Sequence, residues 1–164
     1  MSDDVRVQQA TAADVPLVLR MIKALAEYEQ LTREVVATEA KVRESLFGSN
    51  PSAEAVIARV DGQPAGFAVW FYSYSTFLGR PGLYLEDLFV LPEWRGRGIG
   101  RALLRHLARI AVSRDCGRME WAVLDWNELA IRFYRGLGAR PMSDWTVYRL
   151  TGDDLTRLAG ADEA

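Results

Sequence analysis

The chain has 164 residues, with 20 Lys plus Arg against 22 Asp plus Glu and a net charge of −2. This length predicts one domain, and the composition of 49% apolar and 26% charged residues is typical of a soluble globular protein. The small net charge disfavours a nonspecific nucleic-acid binder. Its one cysteine, Cys116, and one histidine, His106, exclude a disulfide framework and metal sites with four cysteines or several histidines.

The first elements are predicted to be a strand and two helices. Residues 5–8 alternate and predict a strand, and Thr11 with Asp14 three positions later resembles a capping box. The apolar residues that follow recur at helical spacing and predict a helix ending near Leu31. Thr38 is predicted to cap a shorter helix that ends near residue 47.

Three strands are predicted next. Residues 55–60 and 65–74 flank an Asp-Gly turn, which is a strong hairpin signal, and residues 83–90 form a fourth strand. This strand carries Glu86 and Asp87 between apolar residues, which is costly unless the charge has a function or faces water. Strand alternation puts Asp87 on the face opposite Glu86, where we expect it to be structural.

A glycine-rich turn precedes the predicted central helix. Residues 95–100 lead into an amphipathic helix over residues 101–111, and residues 119–124 form a fifth strand. Asn127 is predicted to cap a helix that ends before Gly138 at its C′ position. The last predicted elements are a strand at 145–150 and a short helix at 153–159.

The strand, the turn and the helix together favour an anion-binding site. Glycines let the backbone approach a ligand, and the first N–H groups of a helix and its dipole favour negative charge. The alternative is a tight turn whose glycines only permit packing. The Walker pattern fails because it requires a lysine, and the dinucleotide pattern fails because Arg101 stands where its third glycine belongs.

The pattern Arg95-x-x-Gly98-x-Gly100 resembles the pyrophosphate loop of the GNAT superfamily of N-acetyltransferases. Residues 84–90, 123–128 and 130–139 resemble its spermidine/spermine acetyltransferase-like branch, which includes thialysine acetyltransferases. The resemblance implies one α/β N-acetyltransferase domain over residues 1–164, with a core at about 5–150 and a C-terminal segment at 151–164. It also implies a central mixed, mostly antiparallel sheet flanked by helices, with an acetyl-CoA site at the fourth strand, the turn and the helix.

The resemblance implies direct attack of a primary amine on acetyl-CoA, with no metal. An alkyl ammonium has a pKa of about 10.4, so its proton must leave before the attack. Glu86 corresponds to the catalytic base of the family, acting through water, and Tyr134 to the acid that protonates the coenzyme thiolate. The structural alternatives are a solvated carboxylate and a tyrosine packed in the core.

The resemblance also assigns the acetyl-CoA contacts. The backbone of Leu88, Phe89 and Val90 is expected to hold the pantetheine arm and polarise the thioester carbonyl. Asn127 and Tyr134 are expected to contact the cofactor, although Asn127 also suits a helix N-cap. The expected pyrophosphate loop consists of Arg95, Gly96, Arg97, Gly98, Ile99, Gly100 and Arg101.

Acidic and aromatic residues are expected to bind the cationic amine. By resemblance these substrate-binding residues are Tyr28, Glu29, Glu86, Glu120, Trp121 and Ala122. In the loop at residues 74–79, Ser75 and Phe77 replace the acid and the tryptophan of the polyamine enzymes. A small diamine or a lysine-like amino acid therefore fits at least as well as a polyamine.

Two other functions stay open: an acetyltransferase for a protein or peptide amine, and a noncatalytic acyl-CoA sensor. We expect a cytoplasmic protein without membrane partners, because secretory signals and apolar runs of roughly 18 residues are absent, and without nucleic-acid partners, because there is no global basic charge. The resemblance implies a homodimer. Charge is divided along the chain: residues 93–118 contain seven arginines and two acids, a net +5, which leaves −7 for the rest. This division suits a phosphate-bearing donor and a cationic acceptor.

Overall fold

Five strands form one mixed sheet whose spatial order follows the chain. Its first three strand pairs are antiparallel and its last pair is parallel. The mixed, mostly antiparallel sheet confirms the predicted fold class. The strands are β1 (Val5–Gln9), β2 (Glu54–Val60), β3 (Gln63–Ser75), β4 (Arg80–Val90) and β5 (Met119–Trp121).

The computed structural model describes residues 4–160 and divides the chain into two compact units, Met1–Leu124 and Asp125–Ala164. The first unit contains the sheet and three α-helices, and the second unit contains two. The helices are α1 (Val15–Tyr28), α2 (Glu39–Phe47), α3 (Ile99–Ser113), α4 (Glu128–Gly136) and α5 (Gly152–Gly160). No helix within residues 4–160 is both long and apolar enough to cross a membrane.

The predicted capping residues occupy helix starts. The Thr11 backbone N–H donates to the Asp14 carboxylate over 2.8 Å, immediately before α1, and the Thr38 hydroxyl accepts from the Lys41 N–H over 3.2 Å at α2. Asp14 also accepts from Arg59 on β2 over 2.8 Å. The start of α1 is therefore fixed to the sheet by a charge-assisted hydrogen bond as well as by packing.

Helices cover both faces of the sheet. Side chains of α1 pack with Ile57, Phe67, Val69 and Phe89, which alternate along their strands and so share one face. The intervening residues are also buried, and α3 packs against β1, β3 and β4. The buried residues of α3 are Ile99, Leu103, Leu104, Leu107 and Ala111, in agreement with the predicted amphipathic helix.

Two predictions near the C-terminus differ from the structure. The fifth strand ends at Trp121 rather than at residue 124, and residues 145–150 form no strand. A strand is stabilised by its hydrogen-bonded neighbour, and within its described residues the second unit contains helices but no other strand. The β-branched and aromatic residues at 145–150 were therefore not sufficient to define a strand.

Candidate active site

Glu86 lies at a β-bulge in β4. Val69 and Trp70 are consecutive on β3, yet their partners on β4 are Asp87 and Leu85, so Glu86 is the extra residue. A bulge bends its strand and interrupts regular alternation. Glu86 is exposed, and its carboxylate therefore reaches solvent at the point where β4 is bent.

Asp87 lies on the α1 face of the sheet. Its partner Val69 belongs to the core cluster that packs against α1, and Phe89, two residues further along β4, belongs to the same cluster. Burial, followed by the negative charges of Glu86 and Glu29, raises the pKa of Asp87 to about 6. Asp87, which was predicted to be structural, therefore lies within the electrostatic influence of two other acids.

The end of α1 contributes Tyr28 and Glu29 to this face. Tyr28 is half-buried, and its ring centroid lies 6.1 Å from that of Phe89. Glu29 is the C-cap of α1, and burial raises the pKa of its carboxyl. Of the predicted substrate-binding residues, these two are close to the β4 bulge.

Strand β5 brings Glu120 to the region of the β4 bulge, but the side chain of Trp121 lies on the other face of the sheet. Glu120 is beside Tyr84 and Trp121 is beside Leu85, so alternation puts their side chains on opposite faces. Burial, followed by the charges of Glu86 and Glu120, raises the pKa of Tyr84. Glu120 also forms an ion pair of 3.3 Å with Arg118, and Ala122 follows the end of β5.

The parallel ladder between β4 and β5 ends beside the bulge. Its register runs from Leu83 to Leu85, and among the described strands nothing pairs with the β5-facing edge of β4 beyond that point. The next residues, Leu88, Phe89 and Val90, are bonded to β3 on their other edge. Their outer edge is suited to an extended ligand, which can pair with a strand through backbone groups.

The glycine-rich turn forms the start of α3. Gly96 and Gly98 have φ values of +77° and +79°, a region that disfavours side chains, and Gly98 is the N-cap. A Cβ built on either glycine would meet nothing within 4 Å. The first N–H groups of α3 have no partner within the helix and carry the positive end of its dipole, and the side-chain positions of the two glycines beside them are open.

Two arginines of this turn stack on aromatic rings. The Arg95 guanidinium carbon lies 4.8 Å from the Tyr28 ring centroid and 5.3 Å from that of Phe89. Arg97 lies 4.8 Å from the Trp94 ring centroid. Arg95 was predicted as an acetyl-CoA contact, but its side chain contacts the aromatic residues of the α1 face.

The second unit carries Asn127 and Tyr134. The Asn127 side chain accepts from the Ala130 N–H over 3.3 Å, which confirms its predicted capping position before α4. Tyr134 lies on α4 beside Phe133, with ring centroids 5.6 Å apart. Gly138 has a φ of +91° after the helix, as predicted for its C′ position.

The sequence pattern foresaw neither the bulge at Glu86 nor the ring contacts of Arg95. The pair of adjacent acids was visible in the sequence, but the charges of Glu86 and Glu29 that act on Asp87 were not predicted. The contacts of Arg95 join residues 28, 89 and 95, and no local pattern signals them. Within residues 4–160, no group of three or more His, Cys, Asp or Glu is arranged to hold a metal ion.

Comparisons with known proteins agree with this fold and identify a family. Residues 21–139 match the model of the acetyltransferase (GNAT) family. A thialysine N-epsilon-acetyltransferase of Sus scrofa is 37% identical over 95% of this chain and 98% of its own length. An L-ornithine N5-acetyltransferase of Arabidopsis thaliana is 31% identical over 93% of this chain and 87% of its own length. An integron cassette protein from the mobile metagenome of V. cholerae superposes with a TM-score of 0.79 at 28% identity, covering 98% of this chain and 99% of that structure.

Proposed function

The chain belongs to the acetyltransferase (GNAT) family, and we propose that it moves the acetyl group of acetyl-CoA to the terminal amine of a small diamine or lysine-like amino acid. The observation that carries this proposal is the acidic character of the β4 bulge, where Glu86 is exposed beside Asp87, the charges of Glu86 and Glu29 act on Asp87, and the charges of Glu86 and Glu120 act on Tyr84. Such an acidic region attracts an ammonium group. The named relatives act on thialysine and ornithine, which support a short substrate with a terminal amine.

The acetyl-donor side is proposed at the turn before α3. Acetyl-CoA supplies the thioester and two linked phosphates. The open space at Gly96 and Gly98 and the first N–H groups of α3 fit those phosphates, with Arg97 and Arg101 adding positive charge. The outer edge of β4 at Leu88 to Val90 would hold the pantetheine arm and direct an N–H group at the thioester oxygen.

The proton transfers are proposed for Glu86 and Tyr134. Glu86 accepts a proton from the ammonium through water, and the free amine attacks the thioester carbon. Nearby N–H groups stabilise the oxyanion until the carbon–sulfur bond breaks. Tyr134 then donates its phenolic proton to the leaving thiolate, and the resulting phenolate takes the extra proton from the newly acylated nitrogen, so that the products are the N-acetylated amine and free CoA with Tyr134 restored. Asn127 is proposed to contact the donor while it caps α4.

Release of free thiol from acetyl-CoA tests the activity. Purified protein is given diamines, polyamines, lysine, thialysine, ornithine and lysine-containing peptides at equal concentration. We expect the largest kcat/KM for a diamine or an amino acid with a terminal amine. A peptide that is preferred to every small amine would make the substrate a protein amine. Tight CoA binding without turnover on any amine would indicate the acyl-CoA sensor and overturn the proposal.

Two variants test the proton-transfer roles. Glu86→Gln and Tyr134→Phe should each lower kcat by about 10²- to 10⁴-fold, the usual contribution of a general base or acid. Glu93→Gln is the matched control, because Glu93 is exposed on the short 3₁₀ turn at Pro92–Trp94. The control should keep the full rate. Full activity in Glu86→Gln or Tyr134→Phe would remove that residue from the mechanism.

We also propose that both units act as one acetyltransferase domain, because the family match at residues 21–139 spans their boundary. The protein is proposed to be a cytoplasmic homodimer with no metal and with no nucleic-acid or membrane partner. Analytical ultracentrifugation at micromolar concentration tests the dimer. A single sedimenting species with the 18.4 kDa mass of the chain would contradict it.

A further inference from the structure

Arg95 contacts two aromatic rings on the α1 face and the backbone of Val90, and none of these contacts involves a phosphate-binding glycine. Its guanidinium lies over the rings of Tyr28 and Phe89, at 4.8 and 5.3 Å from their centroids. Its Nε donates to the Val90 carbonyl oxygen over 3.0 Å. One side chain thus joins the last residue of α1 to the last two residues of β4.

These contacts depend on the shape of the guanidinium as well as on its charge. A planar guanidinium can stack on two rings while it donates an edge N–H to a carbonyl, whereas the ammonium of lysine is a compact point charge. For a phosphate ligand the difference matters less, because lysine is also an effective phosphate-binding residue. Substitution of Arg95 by lysine therefore separates a role in stacking on the rings from a role in binding phosphate.

We infer that Arg95 is a positioning residue for the amine site, which holds the Tyr28 ring against Phe89 while its backbone begins the acetyl-CoA turn. This inference rests on the proposed function and refines the predicted role of Arg95 as a cofactor ligand. The position of Arg95 over the Tyr28 ring also determines which surface of Tyr28 can contact the substrate. The ring surface under Arg95 is already occupied by a cation, so the substrate ammonium meets the carboxylates and the remaining surface of Tyr28.

Arg95→Lys and Arg95→Met are compared with Arg97→Met. Arg97 is the matched control, since it belongs to the same turn and stacks at the same 4.8 Å distance, but on Trp94. Both Arg95 variants should raise the KM for the amine about three- to tenfold, the loss expected for a cation–π contact and one hydrogen bond. The Kd for CoA, measured by calorimetry without amine, should stay within about threefold in Arg95→Lys. Arg97→Met should raise the Kd for CoA and leave the amine KM unchanged.

A second measurement does not depend on turnover. The Tm is measured for Arg95→Met, Tyr28→Leu and the double variant, and the loss in the double variant should be smaller than the two single losses added together. Additive losses, or an amine KM restored by lysine, would overturn the inference. If the protein acetylates no amine at all, the proposed function fails, but this Tm comparison still decides the contact between Arg95 and Tyr28.

Discussion

Asp87 on β4 and Glu29 at the end of α1 are acids whose carboxyl pKa values are both raised by burial, and the charge of Glu29 acts on Asp87. They belong to different elements, and the bulge at Glu86 places Asp87 on the face that α1 covers. Buried acids that repel one another destabilise a protein when both are ionised. An ammonium group between them would relieve this repulsion, so we expect a cationic ligand at this position to stabilise the protein.

This repulsion predicts how stability depends on pH. Asp87 has an ordinary pKa of 3.8 and a folded-state pKa of about 6, so between these values the folded chain holds a proton that the unfolded chain has lost. Stability must therefore fall as pH rises from about 4 to about 6. Asp87→Asn removes this fall, and its stability relative to wild type should grow by about 1 to 3 kcal/mol between pH 4 and 7.5.

Urea unfolding across that pH range, without ligands, measures the effect. Glu93→Gln, at an exposed position, should show no comparable trend with pH. A difference between Asp87→Asn and wild type that stays constant from pH 4 to 7.5 would show that Asp87 ionises normally.

Gly98→Ala tests the proposed phosphate-binding turn. Gly98 has a φ of +79° and Gly62, in the hairpin between β2 and β3, has a φ of +82°; an added Cβ meets nothing within 4 Å at either position. Alanine in this left-handed region costs about 1 to 2 kcal/mol, so both variants should lose similar stability. Only Gly98→Ala should weaken CoA binding, by about tenfold or more, because only its methyl group enters the space before α3.

Urea unfolding measures the loss of stability, and calorimetric titration with CoA measures the loss of affinity. Equal CoA affinity in Gly98→Ala and Gly62→Ala would place the phosphates elsewhere.

The bond between Asp14 and Arg59 predicts a pH dependence of opposite sign. Burial raises the pKa of Asp14, but the hydrogen bonds from Thr11 and Arg59 outweigh it and bring the pKa below 3.8. A lowered pKa gives stability that is present at neutral pH and is lost as pH falls below about 4. Asp14→Asn should therefore cost about 2 kcal/mol at pH 7 and little at pH 3.

Asp4→Asn is the matched control for that measurement. Asp4 is bonded to Arg6 over the same 2.8 Å, but both side chains are more than half exposed. An exposed pair contributes little to stability. Equal losses of stability in Asp14→Asn and Asp4→Asn at pH 7 would mean that burial does not increase the contribution of the pair between Asp14 and Arg59.

Local signals in the sequence predicted most of the helices. The helix ends are set by capping residues that act on neighbours a few positions away, so the local sequence is enough to predict them. These residues are Thr11, Thr38, Asn127 and Gly138. The amphipathic pattern of α3 likewise needs only its own residues. The fold class followed from these elements together with the resemblance of the glycine-rich turn.

Three features depend on residues that are distant in the sequence. They are the bulge in β4, the ring contacts of Arg95 and the absence of a strand at 145–150. The register shift arises between β3 and β4, and nothing in β4 alone marks Glu86 as the extra residue. The bend of β4 at Glu86 could therefore not be predicted from β4 alone. In the same way, Arg95 contacts Tyr28 only after α1 and β4 have packed, and a segment such as 145–150 forms a strand only with a partner.

The turn that ends α1 offers a final prediction, because it fixes Tyr28 and Glu29. The Leu31 N–H donates to the Ala26 carbonyl over 2.8 Å, and Gln30 has a φ of +61°. This is the hydrogen bond of a Schellman motif, whose left-handed position favours glycine. Gln30→Gly should stabilise the protein by about 0.5 to 1 kcal/mol and leave the amine KM unchanged, since the turn keeps its shape. Gln30→Ala, which retains a Cβ, should give no gain, and Gln8→Gly on β1, where the backbone is extended, should lose stability. A loss of stability in Gln30→Gly, measured by urea unfolding, would mean that the Gln30 side chain stabilises this turn more than its backbone strain costs.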